Sequence, residues 1–303
     1  MKIVHNENIL DTFKILRSQT EQLISRLSEE DQCVQSMPDA SPIKWHLGHT
    51  TWFFETLILI PHCAGYSKFS VEFTYFFSSY YESVGPLQSR HHGRLIIMPS
   101  LSEVMAYRAH VSSAMKSWME QSNAFEEIVD LIVLGIHHEQ QHQELMATDA
   151  LHFFSCHPFL PDSHLNFSND PGPATQDATP KWVQFESGLS EFGHALEEQF
   201  VFAFDNKQPR HKRWLDTFGG SEMCEMQGSA WPWTRSAYEL YPGFRANAGA
   251  IREYNGKFMV GQQVLRDSSW AMPNGHARKT YRNFFPPPVR WQISGLRLAR
   301  DYN

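Results

Sequence analysis

The stretch LGIHHEQQHQEL, residues 134–145, holds three histidines, two glutamates and three glutamines. Residues four apart in an α-helix lie about 40° from each other around the axis, so His138 and His142 point the same way, one turn apart. Leu134 and Gly135 lie on the same face, which predicts that the two rings point into a helical bundle. Inward imidazoles need partners for their ring nitrogens. The pattern therefore predicts either a metal site or two core histidines that are hydrogen-bonded to neighbours.

A second pair of histidines stands in SPIKWHLGHTTWFFETL, residues 41–57. Ser41 is predicted to be the N-cap of a helix and Pro42 its first residue, because these residue types are preferred at those positions. Either His46 or His49 could supply a third metal ligand. Spacing alone leaves that choice open.

The five residues HEQQH, 138–142, also fit the H-E-x-x-H motif of zinc peptidases, in which Glu139 would be the catalytic base. So short a motif matches by chance often. A peptidase would also need a third ligand downstream at a suitable spacing, and none stands out. A zinc hydrolase is kept as an alternative.

The chain is 303 residues long, which predicts two domains of roughly 150 residues each. Apolar residues recur at helical spacing through the first half, which indicates a bundle over residues 1–167. Residues 168–180, SNDPGPATQDATP, have the composition of an exposed linker. Short alternating runs with frequent Trp, Gly and Pro predict a loop-rich domain over residues 181–303. The predicted fold class is α+β.

Charge and cysteine content narrow the possible partners. Acidic residues outnumber basic ones by 33 to 26, so a nucleic-acid or anionic-membrane partner has little electrostatic support. The basic clusters at 90–94 and 210–213 are read as solvated loops, with binding of an anionic substrate group as the alternative. The four cysteines include no CxxC pair, which argues against a disulfide framework.

The apolar segments favour a soluble, cytoplasmic protein. The N-terminus has no apolar core like that of a signal peptide. The most apolar stretch, TTWFFETLILI (50–60), is interrupted by Glu55 and is too short to span a bilayer. The oligomeric state stays open.

Longer segments carry a resemblance to a known family. MPDASPIKWHLGHTTWFFETLIL (37–59), LGIHHEQQHQELMATD (134–149), FAFDNKQPRH (202–211) and TYRNFFPP (280–287), in this order, closely resemble the iron-dependent sulfoxide synthases of ergothioneine biosynthesis, also called hercynine oxygenases. The resemblance implies a DinB-like four-helix bundle followed by a formylglycine-generating-enzyme-like domain of the C-type-lectin kind. It also implies an active site between the two domains.

The resemblance implies that His49, His138 and His142 hold Fe(II). A three-histidine site leaves coordination positions open, which an ion needs in order to take up a thiolate and dioxygen together. Zinc could occupy the same nitrogens but cannot exchange electrons with oxygen.

The resemblance also implies roles for side chains around the iron. Tyr80 and Tyr81 match a tyrosine pair near the iron in the branch that uses free cysteine, where a phenol can donate a proton or an electron during oxygen chemistry. The alternative is that both are core or rim aromatics. Gln141 would meet the hercynine imidazole, and Asn283 would line the same pocket.

Free cysteine is the sulfur donor that the resemblance favours. Where the branch that uses glutamylcysteine has an acidic residue shortly after Asn283, this chain has Phe285 followed by three prolines. Arg90 and Arg94 align loosely with the arginines that family members keep for the carboxylate of the thiol substrate.

Two departures from the family concern the second domain. A long middle portion is missing after residue 218, so this domain is predicted to be shortened. In LRDSSWA (265–271), Asp267 and Ser268 stand where the family has a Gly-Gly-Ser turn. Because glycine accepts positive φ and these residues do so with strain, the turn is predicted to be reshaped.

The function predicted is an Fe(II)- and O2-dependent sulfoxide synthase that joins cysteine to hercynine. Its partners would be hercynine, cysteine and O2, with no nucleic acid or membrane. The alternatives are a metal-binding relative of the family with impaired catalysis and the zinc hydrolase.

Overall fold

The computed structural model describes residues 6–78, 99–122, 124–162, 164–167, 181–195, 202–221, 228–245 and 259–302. The chain divides into two compact units, Met1–Ser168 and Asn169–Asn303. The first is helical and the second contains all the described strands. The predicted linker at 168–180 lies outside the described residues.

The first unit is a bundle built on four longer helices. In chain order its helices are α1 (Asn6–Ile24), α2 (Ile43–Phe54), α3 (Ile60–His62), α4 (Val71–Phe76), α5 (Leu101–Gln121) and α6 (Val129–Ser155). α2 packs against both α5 and α6, and α1 packs against the same two helices. A π-helical turn, Glu55–Leu59, joins α2 to α3. Among the described helices, none combines the length and the apolar character that crossing a membrane requires.

Helix α2 is the central element of the bundle. All of its residues except Trp45 are buried. This burial fits its sequence, because apolar and aromatic residues cover most of the circumference of IKWHLGHTTWFF, and largely apolar helices lie inside proteins. The polar atoms of its two histidines must therefore find partners within the protein.

The start of α2 differs from the sequence-based prediction. The N-cap is Pro42, and no side chain caps the helix. Ser41 instead donates its backbone N–H to Oδ2 of Asp149 on α6, at 2.8 Å. The prediction of Ser41 as N-cap was wrong because a carboxylate from another helix binds this segment.

The described strands of the second unit form three small sheets. They are β1 (Trp182–Phe185), β2 (Gly188–Phe192), β3 (His211–Leu215), β4 (Phe218–Ser221), β5 (Trp231–Ala237), β6 (Gln263–Arg266), β7 (Arg282–Phe285), β8 (Ser294–Gly295) and β9 (Ala299–Asp301). The strand orders are β1-β4-β9, β2-β3 and β7-β6-β5-β8. The pairs are antiparallel except for β5 with β8. The formylglycine-generating-enzyme-like fold stays a prediction.

A buried cationic side chain ties β7 to the rest of this unit. The Arg282 guanidinium lies over the rings of Tyr238 and Tyr241, 4.8 and 3.8 Å from their centroids. Its Nε donates to the carbonyl of Asn206 at 3.0 Å. Arg282 in turn offers its own carbonyl to Nζ of Lys207 at 2.6 Å. These contacts anchor the strand that carries Asn283.

In the turn after β6, a non-glycine residue adopts a left-handed backbone conformation, which is strained for any residue except glycine. Asp267 has φ of 78°, in the left-handed region that glycine tolerates best. Burial raises the pKa of this carboxyl against the opposing charge of Arg297 and the backbone hydrogen bond of Ser268.

Replacing Asp267 by glycine is expected to stabilise the protein by about 1 kcal/mol, because the backbone strain of a non-glycine residue disappears. Urea unfolding monitored by tryptophan fluorescence measures the change. Asp267→Ala is the matched control: it removes the same carboxylate but keeps the Cβ, so it should give no gain. Equal stabilisation by both variants would mean that the carboxylate, not the backbone, was the destabilising element.

Candidate metal centre

Three buried histidines converge between α2 and α6. One potential ligand atom from each of His49, His138 and His142 lies within 4.8 Å of the other two. Two nitrogens on one ion can be no more than about 4.2 Å apart, twice a typical metal–nitrogen distance of about 2.1 Å. Small ring rotations therefore suffice for all three to bind one ion.

The ring of His49 is held on both faces and at one nitrogen. It stacks on Trp45 and Trp52, with centroids 4.6 and 5.6 Å away and ring planes 11° and 13° apart. Its Nδ1 lies 2.7 Å from the carbonyl oxygen of Phe77. Because a carbonyl only accepts, Nδ1 carries the proton and the lone pair is on Nε2, the nitrogen available to an ion.

The structure separates the two candidates for the third ligand. His49 joins the cluster, whereas His46 lies behind it. Nδ1 of His46 is 2.8 Å from Nδ1 of His142, and its Nε2 is 3.2 Å from Oδ2 of Asp149. Both nitrogens of His46 are thereby engaged within the protein.

His138 has the properties expected of a neutral metal ligand. Burial lowers the pKa of its ring to about 4, because the cost of burying a charged ring exceeds the opposing effect of the Glu139 charge. The ring is therefore neutral at neutral pH, which is the form that binds metals. Its buried Nδ1 has no hydrogen-bond partner among the described residues. A buried ring without a hydrogen bond at one nitrogen, beside two further imidazoles, fits a metal site. Imidazole ligands suit Fe, Zn, Cu and Ni.

Glu139, the candidate base of the zinc-hydrolase alternative, is bound elsewhere. Its Oε2 accepts from Nη1 of Arg17 at 2.8 Å, and its Oε1 accepts from Nη2 of Arg108 at 2.6 Å and from Oγ1 of Thr20 at 2.7 Å. Burial raises the pKa of this carboxyl, but the charges of Arg108 and Arg17 and the hydrogen bonds from Arg108 and Thr20 outweigh it and lower the pKa to about 2. A fully buried carboxylate with three donors is not placed to take a proton from water at the cluster.

The carbonyl that orients His49 depends on a glycine. A Cβ on Gly48 would overlap the ring of Phe77, so the ring occupies the space that the missing side chain leaves on α2. This close approach brings the Phe77 carbonyl to His49.

Gly48→Ala is expected to lower the free energy of unfolding by about 1–3 kcal/mol, the usual cost of overpacking, and to weaken metal binding as the Phe77 carbonyl is displaced. Urea unfolding and Co(II) titration measure the two effects. Gly188→Ala is the control, because a Cβ at Gly188 meets nothing within 4 Å. Wild-type stability and affinity in Gly48→Ala would show that Phe77 relocates freely.

The remaining predicted site residues are placed as follows. Gln141 is on α6, one residue before His142, and is half-buried. Asn283 is on β7 in the second unit, and its Oδ1 accepts from the N–H of Phe284 at 2.9 Å. Tyr80, Tyr81, Arg90 and Arg94 lie outside the described residues.

Two groups of site-related residues were missed from the sequence. Asp149 follows His142 by seven residues and so lies on the same face of α6, a spacing that could have suggested it as a partner. Arg17 and Arg108 carried no such signal, because nothing local in α1 or α5 indicates a buried carboxylate partner.

Comparison with known proteins gives matches to parts of the chain. Residues 12–146 match the sequence model of the DinB superfamily. The chain is 37% identical over 82 residues to the hercynine oxygenase of Mycolicibacterium smegmatis, covering 25% of this chain and 19% of that protein. It is 35% identical over 86 residues to the hercynine oxygenase of Mycobacterium tuberculosis, covering 27% of this chain and 20% of that protein. The chain thus spans about a fifth of the length of these curated relatives.

Proposed function

We propose that this chain, whose matches support membership in the ergothioneine sulfoxide synthase family, is an Fe(II)- and O2-dependent oxygenase that joins a thiol to hercynine. The observation that carries the proposal is the buried cluster of His49, His138 and His142. Its donor set suits iron, and the relatives that match are named hercynine oxygenases. Free cysteine is the proposed thiol.

The proposed reaction balances with dioxygen as the oxidant. One C–H bond of the imidazole and the S–H bond of cysteine break, a C–S bond forms, and one oxygen atom is added to sulfur. The other oxygen atom leaves as water with the two hydrogens, so dioxygen is reduced by four electrons. When bound by the three histidines, Fe(II) would supply the redox chemistry that couples the thiol to dioxygen.

The protein side chains would position and protonate the reactants. The Phe77 carbonyl holds His49 with Nε2 directed to the cluster. Gln141 and Asn283 are the proposed contacts of the imidazole substrate, and Arg90 and Arg94 the proposed contacts of the thiol carboxylate. The phenols of Tyr80 and Tyr81 are the proposed proton or electron donors.

The proposal is tested with the whole chain loaded with iron under anaerobic conditions. Hercynine, cysteine and air are added, and the sulfoxide is sought by mass spectrometry; parallel reactions replace cysteine by γ-glutamylcysteine. Product with cysteine, absent when zinc replaces iron, is the expected result. Demonstrably bound iron without product from either thiol would refute the proposed activity.

A second candidate is a metal-binding relative that no longer turns over. The observation that motivates it is the strain of Asp267, a non-glycine residue with left-handed backbone in a turn where the resemblance implies glycine. This candidate predicts normal iron content together with an iron–nitrosyl EPR spectrum that hercynine does not change. Formation of the sulfoxide by the iron-loaded chain would exclude it.

A further inference from the structure

His142 is the first of three buried polar groups, from two helices, that follow one another in a chain of hydrogen bonds. His142 and Asp149 come from α6, and His46 from α2 stands between them. The contacts are Nδ1 to Nδ1 at 2.8 Å and Nε2 to Oδ2 at 3.2 Å. His46 is fully buried, and the other two are no more than 7% exposed.

The direction of both hydrogen bonds follows from the Asp149 carboxylate at the end of the chain. Oδ2 of Asp149 already accepts from the backbone N–H of Ser41 at 2.8 Å, so it acts as an acceptor here. Nε2 of His46 is therefore the donor to it. In its neutral form, the imidazole of His46 has one donor and one acceptor nitrogen, so its Nδ1 accepts; a doubly protonated His46 would instead donate from Nδ1 to His142. With neutral His46, the proton in the Nδ1–Nδ1 contact belongs to His142.

The opposite direction would prevent metal binding. If Nδ1 of His142 were the acceptor, its Nε2 would carry the proton and could offer no lone pair to an ion. Ligating histidines commonly have the other ring nitrogen fixed by a carboxylate, directly or through another group. Here the carboxylate acts through a second imidazole.

We propose that His46 and Asp149 are positioning residues that fix the tautomer and orientation of His142, so that its Nε2 faces the metal cluster. The inference rests on the proposed metal binding and deepens it. It also distinguishes His46 from a ligand: loss of its side chain should weaken the site without emptying it.

The test compares two replacements of His46 in the whole chain. Glutamine can accept from His142 through its amide oxygen and donate to Asp149 through its amide nitrogen, so it reproduces the pattern of a neutral imidazole. Leucine has a similar volume but neither group. Co(II) affinity is measured by chelator competition, and the histidine tautomers are read from long-range 1H–15N NMR spectra of the metal-free protein.

His46→Leu is expected to raise the Co(II) dissociation constant roughly 10–100-fold and to leave His142 as a mixture of tautomers. His46→Gln is expected to keep the wild-type affinity and the Nδ1–H tautomer. His152→Ala is the matched control: it removes another α6 histidine, one that contacts Ser36 Oγ at 2.7 Å.

Wild-type affinity in folded His46→Leu, or equal losses in the leucine and glutamine variants, would overturn the inference. If His46→Leu does not fold, Asp149→Ala replaces it, with the same expected rise and tautomer mixture. A wild-type chain that binds no Co(II) at the cluster would contradict the proposed function itself. Co(II) binding without sulfoxide formation would leave this inference intact.

Discussion

His142→Ala is expected to abolish specific metal binding at the cluster. Two nitrogens rarely retain a labile divalent ion against buffer and chelators, because each lost ligand removes a bond that the remaining pair cannot replace. The loss should exceed the roughly 10–100-fold expected for removal of an outer hydrogen-bond partner such as His46. Metal content after dialysis and Co(II) titration are the measurements.

His110→Ala is the control for this substitution. His110 lies on α5 and is exposed, and its Nε2 contacts the carbonyl of Ser67 at 3.1 Å, so the same chemical change occurs away from the cluster. Retention of one tightly bound ion per chain in His142→Ala would show that the ligand set is wrong. Loss of metal in His46→Ala with retention in His49→Ala would point to the same conclusion for the third ligand.

The helical unit could be predicted because its information is local. The 3.6-residue period places His138 and His142 on one face, and the apolar and aromatic residues over most of the circumference of α2 match its burial. The match of residues 12–146 to the DinB superfamily confirms the helical domain type. These features depend on neighbours within a few turns of the same helix.

The partners of Glu139 and His142 could not be predicted, because they depend on how helices rotate against each other. Arg17 and Arg108 lie 122 and 31 residues from Glu139 along the chain. His46 lies 96 residues from His142. The sequence is compatible with many rotations of each helix about its axis. A histidine that only hydrogen-bonds to a metal ligand has the same local sequence pattern as a histidine that binds the metal. The strand pairing of the second unit was inaccessible for the same reason.

The oxygenase and zinc-hydrolase interpretations differ most in the role that they give to Glu139. Arg17 belongs to α1 and Arg108 to α5, so the carboxylate joins three helices. Residues one apart on a helix point about 100° apart. Holding Glu139 toward α1 and α5 therefore fixes the rotation of α6 that turns His138 toward α2.

Glu139→Ala is expected to lower the free energy of unfolding by about 3–5 kcal/mol, because two guanidinium groups stay buried without their carboxylate. Urea unfolding followed by the helical circular-dichroism signal measures this. Glu21→Ala is the matched control. Glu21 also binds Arg108, at 3.0 Å, but its side chain is 47% exposed. Loss of such a half-exposed pair costs about 0–1 kcal/mol.

A zinc hydrolase would give a different result with the same variant. A catalytic base exchanges protons with water at the metal and contributes little to stability, so its removal would leave unfolding unchanged and eliminate peptide cleavage. A buried anchor gives a large loss of stability and, through the rotation of α6, weaker Co(II) binding by His138 and His142. Unchanged stability in Glu139→Ala would show that the two arginines find other partners and that the rotation of α6 is fixed by apolar packing alone.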